Sequence, residues 1–302
     1  CAAYRDDEMD ELLRYADHIV FNSPAQLAKF GAKVKAAGKS VGLRINPECS
    51  TQDGHAIYDP CAPGSRLGTT RAAWDAAVAQ DPALPQLLDG LHFHTLCEQD
   101  ADALAVTLDA VTEKFGDILP KMQWVNFGGG HHITRPGYDL ETLTQCIARA
   151  QNAWGVTVYL EPGEACALNA GYLLTRVLDV VQNGGTTVAI LDASAACHMP
   201  DVIEMPYRPP LLFAGDAGQK PCTVRLAGPT CLAGDVIGDY GLDAVPRVGD
   251  LLVFGDMAIY TTCKNNTFNG MPLPAICVRD EAGNVRELVK FGYRDFKARL
   301  GR

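Results

Sequence analysis

Two periodicities alternate along the first half of the chain. Segments 6–16 (DDEMDELLRYA), 24–38, 70–80, 100–115 and 140–154 repeat apolar residues three and four apart, the spacing of one helix face. Between them lie short apolar runs: HIVFN (18–22), VGLRIN (41–46), LDGLHFH (88–94), WVNFGG (124–129) and TVYLEP (157–162). Strand followed by amphipathic helix, repeated, predicts right-handed βαβ units and a parallel sheet. Ser23-Pro24 marks one helix entry, a hydroxyl N-cap followed by proline at the first helical position.

The pattern changes near residue 170. RVLDVVQ, TTVAILD, CTVRLAG, DLLVFGD, AICVRD and VRELVK are short, rich in β-branched residues and separated by Gly, Asn and Pro. They predict a mostly antiparallel β domain. The expected architecture is α/β: a (β/α)8 barrel over residues 1–168, incomplete at its N-terminus, then a β domain over 169–302. A barrel carries its chemistry at the C-terminal ends of its strands. Those ends read Arg44-Ile45-Asn46, His92-Phe93-His94, Gly128-Gly129-Gly130 and Glu161-Pro162-Gly163-Glu164.

Each of these has a bland and a sharp reading. The three glycines are a tight βα turn, or a cradle whose backbone N–H groups hold a phosphate. His92 and His94 lie two apart and share a strand face. They are a metal pair of hydrolase type, a core histidine with a second at the mouth, or a ring stacked on an aromatic cofactor. Glu161 is a helix cap or a functional carboxylate. Cys231, in GPTCLAGD, is packing or a reactive thiol. Tyr260 is read as the end of the strand DLLVFGDMAIY.

Composition narrows the class. The chain has 302 residues, 47% hydrophobic and 21% charged, with formal net charge −10. That balance disfavours nucleic acid and anionic membrane as partners. The 11 cysteines include no CxxC pair and are scattered through apolar runs, which suits reduced thiols in the cytoplasm. No apolar run approaches the roughly 18 residues of a membrane span. Residue 1 is Cys, and the chain opens as if inside a strand–helix unit. A preceding segment is therefore expected.

HFH, FGGG, EPG, GPTC and a late AIYT, in this order, resemble the alanine-racemase-fold pyridoxal-phosphate decarboxylases that act on ornithine, arginine and diaminopimelate. The resemblance covers essentially the whole chain. LHFHTLCE, NFGGGHHITRPGYD, YLEPGEA and GDMAIYTTCKNNTFNG are most similar to the carboxynorspermidine branch of polyamine biosynthesis. It implies pyridoxal 5'-phosphate as cofactor and no metal. It assigns the phosphate to Gly128, Gly129, Gly130 and Tyr260, with Arg44 nearby. Glu161 would pair with the pyridine nitrogen and His94 stack on the ring. Cys231 would return a proton to Cα from the partner subunit of a homodimer with shared sites.

Departures from the family pattern bear on the substrate. Most relatives carry Arg after EPG, where this chain has Glu164, and that disfavours the distal carboxylate of diaminopimelate. After the Cys of GPTC comes Leu232, and the next acid is Asp235. With Glu204, these acids are the expected contacts for a small, cationic, carboxylated polyamine. The family also links its cofactor to a lysine on the first barrel strand. Here Lys29, Lys33, Lys35 and Lys39 all lie on or after a helix, so the lysine is expected upstream and this chain alone is expected to be inactive. Another basic amino acid decarboxylase, a lysine-less regulator and a metal-dependent hydrolase are the alternatives.

Overall fold

The computed structural model describes residues 1–52 and 56–301. It divides into two compact units, 1–166 and 167–302.

The first unit alternates as the periodicity requires: α1 (Met9–Tyr15), β1 (His18–Phe21), α2 (Pro24–Ala36), β2 (Ser40–Arg44), α3 (Arg71–Gln80), α4 (Leu84–Leu87), β3 (Gly90–His92), α5 (Ala101–Phe115), β4 (Trp124–Asn126), α6 (Leu140–Trp154) and β5 (Thr157–Tyr159). A short α7 (Gly163–Ala167) crosses into the second unit. Local chemistry sets the helix ends. Ser23 and Thr70 accept from the N–H groups of Gln26 and Ala73. Asp139 caps α6, which stops at Gly155 with φ +70°.

The five strands form one parallel sheet in the order β1-β2-β3-β4-β5. Its register makes two stripes. Leu43, Leu91 and Val125 stand side by side and are buried in the core with Leu27, Leu104 and Leu108 from the helices. On the opposite face, Gly42, Gly90 and Trp124 are partners. A Cβ on Gly90 would stand 2.1 Å from the Trp124 ring, and one on Gly42 2.5 Å. The glycines thus make room for the indole, which donates from Nε1 to Ser40 Oγ at 2.8 Å.

The second unit contains β6 (Leu173–Asn183), β7 (Thr186–Leu191), α8 (Ala195–His198), α9 (Asp201–Glu204), β8 (Gly215–Asp216), β9 (Cys222–Ala227), β10 (Val236–Leu242), β11 (Leu251–Phe254), α10 (Thr261–Lys264), β12 (Ile276–Arg279), β13 (Val285–Val289) and α11 (Tyr293–Arg299). A six-stranded sheet runs β11-β6-β7-β9-β10-β8, and β12–β13 is a separate hairpin. All these pairings are antiparallel except β7–β9. Val177, Leu191, Val224, Tyr240 and Phe254 are among the residues of its own core.

Three expectations about elements are corrected. The late strand ends at Phe254, six residues before Tyr260. That tyrosine instead precedes α10 at φ +51°, with 48% of its surface exposed. VIGDYGL forms β10 although two glycines hide its strand pattern. The strand before Glu161 ends at Tyr159.

Candidate active site

Register also builds the site. Arg44, His92, Asn126 and Tyr159 are the last residues of β2, β3, β4 and β5, and each is the partner of the next. The row stands on the Trp124 face, one strand period beyond the indole. Two residues past β5, the Glu161 N–H donates to Gly128 O at 2.8 Å, which draws Glu161 alongside the glycine turn.

The Glu161 carboxylate is held from two sides. His92 Nε2 lies 3.3 Å from Oε2, and Asn126 Nδ2 donates to Oε1 at 2.9 Å. The hydrogen bond from His92 is the largest reason that the Glu161 pKa falls to about 2. An ionised carboxylate only accepts, so His92 carries its hydrogen on Nε2. Glu161 does not cap the helix that follows it.

His94 stands just beyond the row. Burial, and then the Arg44 charge, push its pKa down to about 4, so the ring is neutral at pH 7. Its Nδ1 accepts from Gly129 N–H at 3.3 Å, while the Arg44 guanidinium lies 3.4 Å from the His94 carbonyl oxygen. Each histidine thus bonds a neighbouring protein group through one ring nitrogen. Among the described residues no group of three His, Cys, Asp or Glu is placed to hold a metal ion.

The tight-turn reading of the glycines has a specific backbone reason. Gly128 and Gly130 have φ +73° and +79°. A Cβ at 128, 129 or 130 would fall 2.5 Å from Phe93 O, 2.6 Å from Glu161 O or 2.1 Å from Leu96 O. Neighbouring backbone alone thus demands glycine at all three positions, whatever ligand the turn meets. Gly128 N–H donates to Asn126 Oδ1 at 2.8 Å and Gly129 N–H to His94. The Gly130 N–H has no acceptor among the described residues. The donor set still fits a pyridine ring bearing phosphate: an ionised carboxylate, a neutral imidazole, an arginine and an open backbone donor at adjacent strand ends.

Cys231, Asp235 and Glu204 belong to the second unit. Cys231 is exposed on the turn after β9, its N–H bound to Asn269 Oδ1 at 3.0 Å. Asp235, expected to contact substrate, is only 3% exposed. Its carboxylate accepts from Ser194 Oγ, Ala196 N, Thr230 N and Thr230 Oγ1. It is a strut of the Cys231 turn, and its oxygens are spoken for. The Glu204 side chain is 62% exposed and lies 3.7 Å from Lys264 Nζ. Glu164 opens α7. The sequence reading missed Asn126. Its only signal was its place at a strand end beside the histidine row.

The chain resembles known proteins along nearly its whole length. The family described as "Pyridoxal-dependent decarboxylase, C-terminal sheet domain" matches residues 10–258. A carboxynorspermidine/carboxyspermidine decarboxylase of Campylobacter jejuni is 41% identical over 98% of this chain and 78% of its own length. A carboxyaminopropylagmatine decarboxylase of Synechocystis is 40% identical over 99% and 76%. The crystal structure of the C. jejuni carboxynorspermidine decarboxylase complexed with norspermidine superposes with TM-score 0.85 and 40% identity, covering 99% of this chain and 79% of that one. With a sheet, a row of strand-end groups and relatives that all point one way, the chain belongs to the pyridoxal-dependent decarboxylases, carboxy-lyases that work with pyridoxal phosphate.

Proposed function

We propose that the protein removes the α-carboxylate of carboxynorspermidine, and of carboxyspermidine, leaving norspermidine or spermidine for polyamine biosynthesis. The observation that carries this is 41% identity, along nearly the whole chain, to a relative with that activity. The Synechocystis relative, at 40% identity, supports carboxyaminopropylagmatine as a second reading. These substrates share an amino-acid head and a long cationic tail.

When bound, the cofactor supplies an electron sink for the electron pair left as CO₂ departs. This chain's residues hold and protonate. Glu161, ionised, would keep a proton on the ring nitrogen, and His94, neutral and partly buried, would hold the ring. The Gly128–Gly130 turn with Arg44 would hold the phosphate, and the family resemblance adds the Tyr260 hydroxyl. Cys231 would donate a proton to Cα from the partner subunit of a homodimer, a role that suits a thiol exposed on its turn. Glu164 stands where an arginine would serve a distal carboxylate. Five parallel strands in sequential order, with this chemistry at their C-terminal ends, support the barrel reading.

No lysine stands at the C-terminal end of a strand among the described residues of the first unit. Lys29, Lys33 and Lys35 lie on α2, and Lys39 precedes β2. The test is formation of norspermidine from carboxynorspermidine by the full-length protein. It should require added pyridoxal phosphate after dialysis. Turnover without the cofactor would overturn the reading.

A further inference from the structure

His92 and Asn126 converge on the same carboxylate from neighbouring strands. Asn126 is in addition bonded at both ends of its amide: Nδ2 to Glu161 Oε1 at 2.9 Å, and Oδ1 to Gly128 N–H at 2.8 Å. A single side chain therefore ties the carboxylate to the first residue of the glycine turn. His92 is 6% exposed, whereas the Glu161 side chain is 52% exposed. The histidine is buried, and the carboxylate it meets is half-exposed. Among the described residues, the buried His92 Nδ1 has no hydrogen-bond partner. Nothing on that side competes for the ring, whose one bonded nitrogen is the one that meets Glu161.

We infer that His92 and Asn126 are positioning residues. They hold the Glu161 carboxylate at a set distance from the glycine turn, so that ring nitrogen and phosphate are met together. The inference rests on the proposed cofactor role of Glu161 and goes beyond it by assigning the two groups that aim it. An unrestrained glutamate at a half-exposed position would sample several rotamers, and ordering it on binding would weaken cofactor affinity. A carboxylate pinned by two donors is already ordered.

The experiment measures pyridoxal phosphate dissociation constants by equilibrium dialysis on the full-length protein and variants, alongside thermal unfolding without cofactor. His92→Phe keeps the ring and loses the donor. His92→Gln keeps a donor. We expect about tenfold weaker binding for His92→Phe, a single charge-assisted bond at a half-exposed site, and near-wild-type binding for His92→Gln. Asn126→Leu should also weaken binding. In a Glu161→Ala background the His92→Phe change should have no further effect, because it acts only through that carboxylate. Wild-type affinity in His92→Phe would overturn the inference, as would equal loss in His92→Gln and His92→Phe. So would an undiminished His92→Phe effect without Glu161. A wild-type protein that binds no cofactor would instead overturn the parent reading, and this inference with it.

Discussion

Asn126 and Glu161 lie on adjacent strand ends with Nδ2 and Oε1 2.9 Å apart. The contact exists because β4 and β5 are parallel and in register, Asn126 opposite Tyr159. From there two further residues bring Glu161 back to the glycine turn. The site is a consequence of strand register, and its residues respond to substitution in distinguishable ways.

The glycine turn is set by backbone proximity. Gly130→Ala would place a methyl 2.1 Å from Leu96 O at φ +79°. We predict a loss of at least about 2 kcal/mol in folding stability, read by urea denaturation in the absence of pyridoxal phosphate. Wild-type stability with impaired cofactor binding would show that the ligand, not the backbone, demands the glycine.

Trp124 fills the space left by Gly42 and Gly90 and is 4% exposed. Trp124→Ala should cost about 3–5 kcal/mol through the cavity it leaves. The check is the same denaturation experiment. A cost under about 1 kcal/mol would mean that the indole is not packed as described.

His94 gives acid sensitivity a definite sign. Its pKa is lowered from 6.5 to about 4 by burial and by Arg44. The unfolded chain therefore takes up a proton first. The contribution is fully present above pH 6.5 and is lost as pH falls through about 4. At the limit it amounts to about 3 kcal/mol. His131, also lowered by burial, adds in the same direction. Unfolding free energy should fall between pH 7 and 4.5, and His94→Gln should lessen that slope by up to one proton. An unchanged slope would contradict the assignment.

Glu204 was expected among the contacts for the distal amine of the substrate. Exposed and ion-paired with Lys264, it should matter little on its own. Glu204→Gln is predicted to change KM for carboxynorspermidine by less than about threefold, as for a solvent-screened pair. A rise of tenfold or more would restore it to the substrate site.

The shared-site proposal has its own check. Cys231→Ala and Glu161→Gln proteins, each impaired alone, should regain activity when mixed under conditions of subunit exchange. One site per heterodimer would then carry neither change. Absence of recovery, with exchange demonstrated, would place Cys231 in the site of its own chain or outside any site.

Long, strongly periodic segments were legible in the sequence. The helix expected over 24–38 spans Pro24–Ala36, and that over 140–154 spans Leu140–Trp154. Strands were overextended, because apolarity continues past the last ladder bond into the loops that carry the chemistry. Glu161 is the example. β10 was missed since Gly238 and Gly241 interrupt its pattern, and Tyr260 was misplaced since AIYT looks apolar yet turns at a positive φ. Arg44, His94, the glycines and Glu161 were singled out through their residue types and order, and strand register brings them together. Asn126 was not, because its contacts come only from its register neighbours. Asp235 and Glu204 were named by their charge alone. Their charge was visible, but burial among donors in one case and exposure beside a lysine in the other are tertiary facts.

The most direct test of the account is a competition assay on the full-length protein with pyridoxal phosphate, comparing kcat/KM for carboxynorspermidine with that for diaminopimelate. A site with Glu164 in place of a cation should favour carboxynorspermidine by at least about a hundredfold, the effect of two charge-assisted contacts of modest strength. Equal turnover of the two substrates would contradict it.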